Sequence, residues 1–202
     1  MGSSLAKERR VDHMVGMDRI ENGLWIGDCY AAQKIVLGED RAYTRIGITH
    51  VLDVSDRVHY SGDTQKYKVQ VMKAGMSDLG FTDLDEKHLK PCFEFIDKGL
   101  RHRKGQVLVH CQMGLNRSAT VVVAWLMNKK GWPVEVALKY VRKHRKVHPY
   151  TYLPKLNKYE RELRGKGIVR DAIEVSGDSL LTKDAVADTM LRYASESQRR
   201  AL

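Results

Sequence analysis

Apolar positions along this chain follow two periods, and the two alternate. Ile20 to Asp28, reading IENGLWIGD, predicts a strand through Leu24, Trp25 and Ile26 and then a glycine turn; residues 29–37 predict a helix. A second short helical piece ends over Arg45 to Gly47, and Thr49-His50-Val51-Leu52-Asp53-Val54 predicts the next strand. Tyr67 to Met72 alternates apolar and polar residues, as a strand does. In Leu84 to Leu100 the residues Leu89, Phe93, Ile96 and Leu100 instead recur at three and four, as one face of a helix requires. Gly105 breaks the chain before the apolar run Val107-Leu108-Val109, and Ala119 to Lys130 resumes the helical period through Val121, Val122, Trp125 and Leu126. Gly131 suits the position just past a helix and Pro133 the first position of another, which carries Val134, Val136, Ala137, Tyr140 and Val141 and is expected to end at Pro149. Pro154 to Leu163 predicts a last core helix. Strands alternating with helices imply an α/β fold: a central, mostly parallel, twisted sheet of about five strands flanked by helices on both faces.

The two ends lack this pattern. Residues 1–18 are polar without a sustained period and predict an arm or a short helix. Residues 19–165 form the domain. Residues 166–202 read as a tail; within it Lys183 to Arg199 is helix-capable, with Val186, Met190, Leu191 and Ala194 on one side, a thin stripe that a partner could cover.

Composition narrows the function classes. The 202 residues suffice for one well-buried domain plus tails, and no apolar run approaches the length of a membrane span. The first residues show no hydrophobic signal core. Three cysteines, Cys29, Cys92 and Cys111, make no disulfide framework and suit a reducing compartment, cytoplasm or nucleus; Cys29 and Cys92 read as ordinary packed residues. The formal net charge of +10 favours acidic partners, phosphorylated proteins among them. Nucleic acid is not expected as a partner, because the basic runs Arg101-His102-Arg103-Lys104 and Arg142-Lys143-His144-Arg145-Lys146 fall where helices end, and cations suit a helix C-terminus anyway.

The chemistry concentrates in one stretch. Val107-Leu108-Val109-His110-Cys111-Gln112-Met113-Gly114-Leu115-Asn116-Arg117-Ser118 is a strand, a loop and the start of a helix. That geometry points successive backbone N–H groups at one spot beside the positive end of a helix dipole, where a phosphate dianion binds. A thiol at the start of the loop feels the same field, so the Cys111 pKa is expected well below the ordinary value of about 8.5. Arg117 supplies a planar fork for two phosphate oxygens. Gln112, Met113, Leu115 and Asn116 contribute N–H groups, Asn116 can also orient loop groups, and Gly114 allows a turn that a Cβ would hinder. The arrangement is a nucleophile aimed at phosphorus. Ser118, a strong capping type, also reads as the cap of a helix beginning at Ala119. His144 and His148 stand four apart but lack a third ligand nearby and read as a surface pair.

His-Cys-x-x-Gly-x-x-Arg-Ser, with the entry strand over Gly23-Leu24-Trp25-Ile26-Gly27, resembles the cysteine-dependent protein tyrosine phosphatases and most closely their dual-specificity branch, over about residues 19–165. The resemblance implies a protein phosphatase that removes phosphate from phosphotyrosine and from phosphoserine and phosphothreonine through a phosphocysteine, with no metal or cofactor. It implies that Ser118 hydrogen-bonds the sulfur and that the His110 ring holds loop backbone. It also implies an acid on a loop about thirty residues before the nucleophile. Asp78, 33 positions before Cys111 within Ala74-Gly75-Met76-Ser77-Asp78-Leu79-Gly80, is the leading candidate; Asp83 and Asp85 are rivals, and all three can also be read as helix N-terminal acids. Two departures stand out. Tyr150 and Tyr152 replace the family's usual pattern after Pro149, and the stretch between Val54 and Tyr67 is short, which implies a shallow pocket. The alternatives are a phosphoinositide or RNA 5′-phosphatase, and a phosphosite-binding module without turnover.

Overall fold

A computed structural model describes residues 13–56, 60, 69–102 and 104–169; the helix-capable stretch of the tail lies outside them. The chain runs β1 (His13–Met14), β2 (Met17–Glu21), β3 (Leu24–Gly27), α1 (Cys29–Val36), α2 (Arg41–Thr44), β4 (His50–Asp53), β5 (Gln70–Lys73), α3 (Glu86–Arg101), β6 (Val107–His110), α4 (Arg117–Lys130), α5 (Val134–His144) and α6 (Leu153–Gly165). The six strands form one sheet in the order β1-β2-β3-β6-β4-β5. The pairs β3–β6, β6–β4 and β4–β5 are parallel, and β1–β2 and β2–β3 are antiparallel. The expected mostly parallel α/β sheet is present, with one strand more than anticipated.

The extra strand comes from a correction at the N-terminal side. Residues 13–18, expected within an arm, pair into the sheet through β1 and the start of β2. Their polarity misled because Asp18, although buried, pairs its charge with His13 and Arg145. A second correction concerns α5, which ends at His144 and not at Pro149. The chain is already extended at Arg145, and the following turn carries it back toward the loop after β6.

Side-chain alternation along the strands builds two cores. Leu24, Ile26, Leu52, Val107 and Val109 face the larger one, packed by α3 to α6; Trp25, Val51 and Leu108 face the smaller one, under α1 and α2. Eleven of the fourteen residues of α4 are buried, so this is the central helix, enclosed on all sides. Beyond α6, Val169 still packs into the larger core. No helix among the described residues is long and apolar enough to cross a membrane.

Candidate active site

Parallel strands end together, and this brings the site residues to one edge. Gly27, His110 and Asp53 are aligned across β3, β6 and β4, and Asp53 is aligned with Lys73 of β5. The loops leaving these four strands therefore share the carboxyl edge of the sheet, where α/β proteins bind ligands. They supply Asp28 and Cys29 from β3, Cys111 to Asn116 from β6, Ser55 and Asp56 from β4, and Ser77 and Asp78 from β5.

The loop from Cys111 to Asn116 is held by its carbonyls. Gln112 O accepts from Cys29 N (3.2 Å) and Leu115 O from His148 N (2.8 Å). Arg145 donates through Nε to Gly114 O (2.9 Å) and through Nη2 to Met113 O (3.2 Å), while Nη1 pairs with Asp18 Oδ2 at 2.8 Å. With carbonyls occupied outward, the amides of Gly114 and Ser118 turn toward the Cys111 sulfur. Gly114 is required: its φ is +69°, and a Cβ would stand 2.5 Å from the Gly27 carbonyl carbon and oxygen. Gly114→Ala is expected to cost about 2–4 kcal/mol, from left-handed backbone plus overpacking against β3. A urea midpoint that does not fall would contradict this account of the loop.

Of the three free thiols, burial and partners act differently on each. Burial pushes Cys92 up to about 11 and, with the Asp28 carboxylate, raises Cys29. Burial also opposes ionisation of Cys111, but the Ser118 hydroxyl, the Ser118 and Gly114 amides and the Arg117 charge outweigh it, and its pKa is lowered. The Ser118 Oγ lies 3.4 Å from the sulfur. This revises the capping expectation. Helix α4 begins at Arg117, its N-cap Asn116 makes no side-chain cap bond, and the buried Ser118 hydroxyl faces the sulfur. The first turn of α4 is thus left to serve an anion.

His110 lies fully buried beneath the thiol. Its Nδ1 donates to Cys111 O at 3.3 Å, and Tyr60 Oη hydrogen-bonds its Nε2. Burial lowers its pKa, against the opposing Asp53 carboxylate, which favours the neutral ring. Asp53 itself is buried, with Oδ1 accepting from the Ser55 amide (2.9 Å) and hydroxyl (2.6 Å).

The buried Arg117 guanidinium meets two carboxylates. Nη1 donates to Asp56 Oδ1 at 2.6 Å and to Met76 O at 3.3 Å, and Nε stands 3.0 Å from Asp78 Oδ1. The Nε contact is close but not aligned as a hydrogen bond, so this buried N–H has no aligned acceptor among the described residues. The loop bearing Asp78 is tied down from the other side. Asn116 Nδ2 donates to Thr151 Oγ1 (2.8 Å) and reaches Asp78 O (3.4 Å), and Tyr152 Oη donates to Ser77 O (2.6 Å).

The three acid candidates separate by partner. Asp78 has its carboxylate on Arg117 and is not at a helix end. Asp83 pairs with Lys155 Nζ at 2.8 Å, whose hydrogen bond and charge hold its pKa down. Asp85 is the N-cap of α3, accepting from His88 N at 3.0 Å. The helix-acid reading therefore applies to Asp85 alone. Gln112 donates to Cys29 Sγ (3.3 Å), so Cys29 is not merely a packed residue but flanks the loop; Met113 is exposed. His144 and His148 pack on Tyr140 and Tyr150, and no group of three His, Cys, Asp or Glu among the described residues could hold a metal ion.

Sequence reasoning missed Asp56, Arg145, Tyr60 and Thr151. Asp56 had a signal, an acid just past the carboxyl end of a strand. Arg145 had none, standing fourth in a run of five basic residues; the run does fall at the end of α5, with Arg142, Lys143 and His144 in its last turn, but Arg145, the C-cap, also holds the loop.

Comparison with known proteins matches residues 30–162 to the family described as dual specificity phosphatase, catalytic domain. Dual specificity protein phosphatase 26 of Mus musculus is 31% identical over 151 residues, spanning 73% of this chain and 68% of the relative. Dual specificity protein phosphatase 1 of Arabidopsis thaliana is 37% identical over 145 residues, spanning 71% and 66%. Among solved structures, a mouse putative dual specificity phosphatase complexed with zinc tungstate superposes with TM-score 0.65 at 27% identity, covering 79% of this chain and 96% of that one. Human DUSP28 superposes with TM-score 0.63 at 27% identity, covering 77% and 99%.

Proposed function

Since the chain belongs to the dual-specificity phosphatase family and is a phosphatase, a phosphoric monoester hydrolase, we propose that it dephosphorylates phosphotyrosine and phosphoserine or phosphothreonine in proteins through a phosphocysteine on Cys111. The observation that carries this reading is the sulfur itself. Of three thiols only Cys111 is pushed toward the anion, and it sits where loop amides, Ser118 and Arg117 converge.

In the first step the Cys111 thiolate attacks phosphorus in line and the bond to the leaving oxygen breaks. Loop amides and Arg117 take the equatorial oxygens, and Asp78 gives the leaving oxygen its proton. In the second step water attacks the phosphocysteine, Asp78 takes the water proton and the P–S bond breaks. The thiolate leaves onto the Ser118 hydroxyl, and inorganic phosphate departs. Gln112, Met113, Gly114, Leu115, Asn116 and Arg117 line the cradle; His110, held by Tyr60, keeps it in shape. Arg117 is paired with the Asp56 and Asp78 carboxylates, so an incoming dianion displaces them; the released Asp78 takes a proton from solvent and turns toward the leaving group as the acid. A cytoplasmic or nuclear setting keeps the sulfur reduced, as this chemistry requires.

Hydrolysis of matched phosphotyrosine, phosphoserine and phosphothreonine peptides, with acid quench to trap protein-bound phosphate, tests the reading. Phosphate should be found on Cys111, and its absence during turnover would overturn the covalent route. Ser118→Ala should let the phosphoenzyme accumulate. It also removes a hydrogen bond that favours the anion, so the thiol needs a higher pH to ionise and the acidic limb of kcat/KM moves upward.

A further inference from the structure

More than half of the large apolar side chains left exposed among the described residues stand on segments beside Cys111. They are Val15, Tyr30, Leu79, Phe81, Met113, Tyr150 and Leu153. Four stand on the three segments that enclose Cys111, each at least 66% exposed. Leu79 and Phe81 follow Asp78, Met113 is in the cradle loop, and Tyr150 stacks on His148, whose amide holds Leu115. These segments are fastened to one another. Asn116 joins the cradle to Asp78 and Thr151, Tyr152 grips Ser77, and Gly80 lies so close to Thr151 that a Cβ would be 2.5 Å from its carbonyl oxygen. The exposed apolar side chains thus belong to one set of braced segments beside the cradle loop, a rim.

The cations bound into this rim are committed. Arg117 pairs with Asp56 and Asp78, Arg145 with Asp18 and two loop carbonyls, and Lys155 with Asp83 and the carbonyls of Phe81 and Thr82. An acidic residue beside the phosphoresidue would gain nothing from these three cations, among the described residues, without breaking one of their pairs, whereas an apolar residue would cover exposed apolar surface.

Resting on the phosphatase reading above, we propose that the rim of Leu79, Phe81, Met113 and Tyr150 selects protein substrates whose phosphoresidue is flanked by large apolar or aromatic residues. A phosphoresidue whose group reaches Cys111 carries its chain neighbours across these side chains, so the occupant is the substrate itself.

The test compares kcat/KM for phosphopeptides of one length, flanked by Leu and Phe or by Glu, each divided by that for p-nitrophenyl phosphate, which has no flanking residues. The wild-type chain should favour the apolar peptide by roughly tenfold, the worth of partly covering one or two large side chains. Phe81→Ser with Tyr150→Ser should reduce that preference to about twofold or less, with an unchanged circular dichroism spectrum. A wild-type preference for the acidic peptide, or an apolar preference that survives both substitutions, overturns the proposal. So does sedimentation with phosphoinositide-containing vesicles, or self-association, that the double variant abolishes while peptide preference stays flat. Failure of wild-type turnover on p-nitrophenyl phosphate would instead strike the phosphatase reading.

Discussion

Cys111→Ser is expected to reduce turnover of p-nitrophenyl phosphate and phosphopeptides by a factor on the order of 10⁴ or more, as loss of a nucleophile does. The reason is specific to the atom. Sulfur is drawn toward the anion here because its intrinsic acidity is close enough to neutrality for a hydroxyl, two amides and a guanidinium to outweigh burial. A serine hydroxyl in the same place starts far more basic and stays protonated. The cradle is unchanged by the substitution, so inorganic phosphate should still bind, within a few-fold of the wild-type affinity, by calorimetry. Residual turnover above about one per cent would mean that another group attacks phosphorus. A wild-type chain that binds phosphopeptide yet releases no phosphate would be a recognition module.

Asp78→Ala is expected to lower kcat by a factor of order 10²–10⁴, with the larger losses on phosphoserine and phosphothreonine peptides. An alkoxide leaves poorly without a proton, whereas p-nitrophenolate leaves readily, so the penalty should track the basicity of the leaving group. A merely structural loss would not. Asp78 also partners Arg117, and its removal takes away one of two carboxylates that compete with phosphate, so KM should fall or hold while kcat drops. Asp83→Ala serves as the comparison. Its carboxylate belongs to Lys155, and its loss should leave the leaving-group dependence in place. If Asp83→Ala instead flattens turnover and Asp78→Ala does not, the acid is Asp83.

The two departures after β4 and after Pro149 divide differently in space than in sequence. Tyr150 and Tyr152, adjacent in the unusual pattern, have separate tasks. Tyr152 is buried and holds Ser77, while Tyr150 is exposed on the rim. The short stretch between Val54 and Tyr67 lies largely outside the described residues, yet its three described members matter: Ser55 donates to Asp53, Asp56 grips Arg117 and Tyr60 grips His110. Tyr60 is not recognisable locally, because a tyrosine in a polar stretch reads as surface; Asp56 is marked only by its place just past the carboxyl end of a strand.

What the chain alone determines is whatever depends on near neighbours. The periods of apolar residues place nearly every helix and strand, and the spacing from His110 to Ser118 sets a strand, a tight loop with Gly114 and a helix start, hence an anion cradle with a thiol in it. What only tertiary structure decides is pairing across distance. Arg117 meets Asp56 from 61 positions away, Tyr152 meets Ser77 from 75 and Arg145 meets Asp18 from 127. Setting the Asp78 carboxylate beside Arg117 and that of Asp83 beside Lys155, and drawing the N-terminal strands into the sheet, follow from such pairings. A charge or hydroxyl reads the same in sequence whatever it will face; burial beside a particular partner gives it a role.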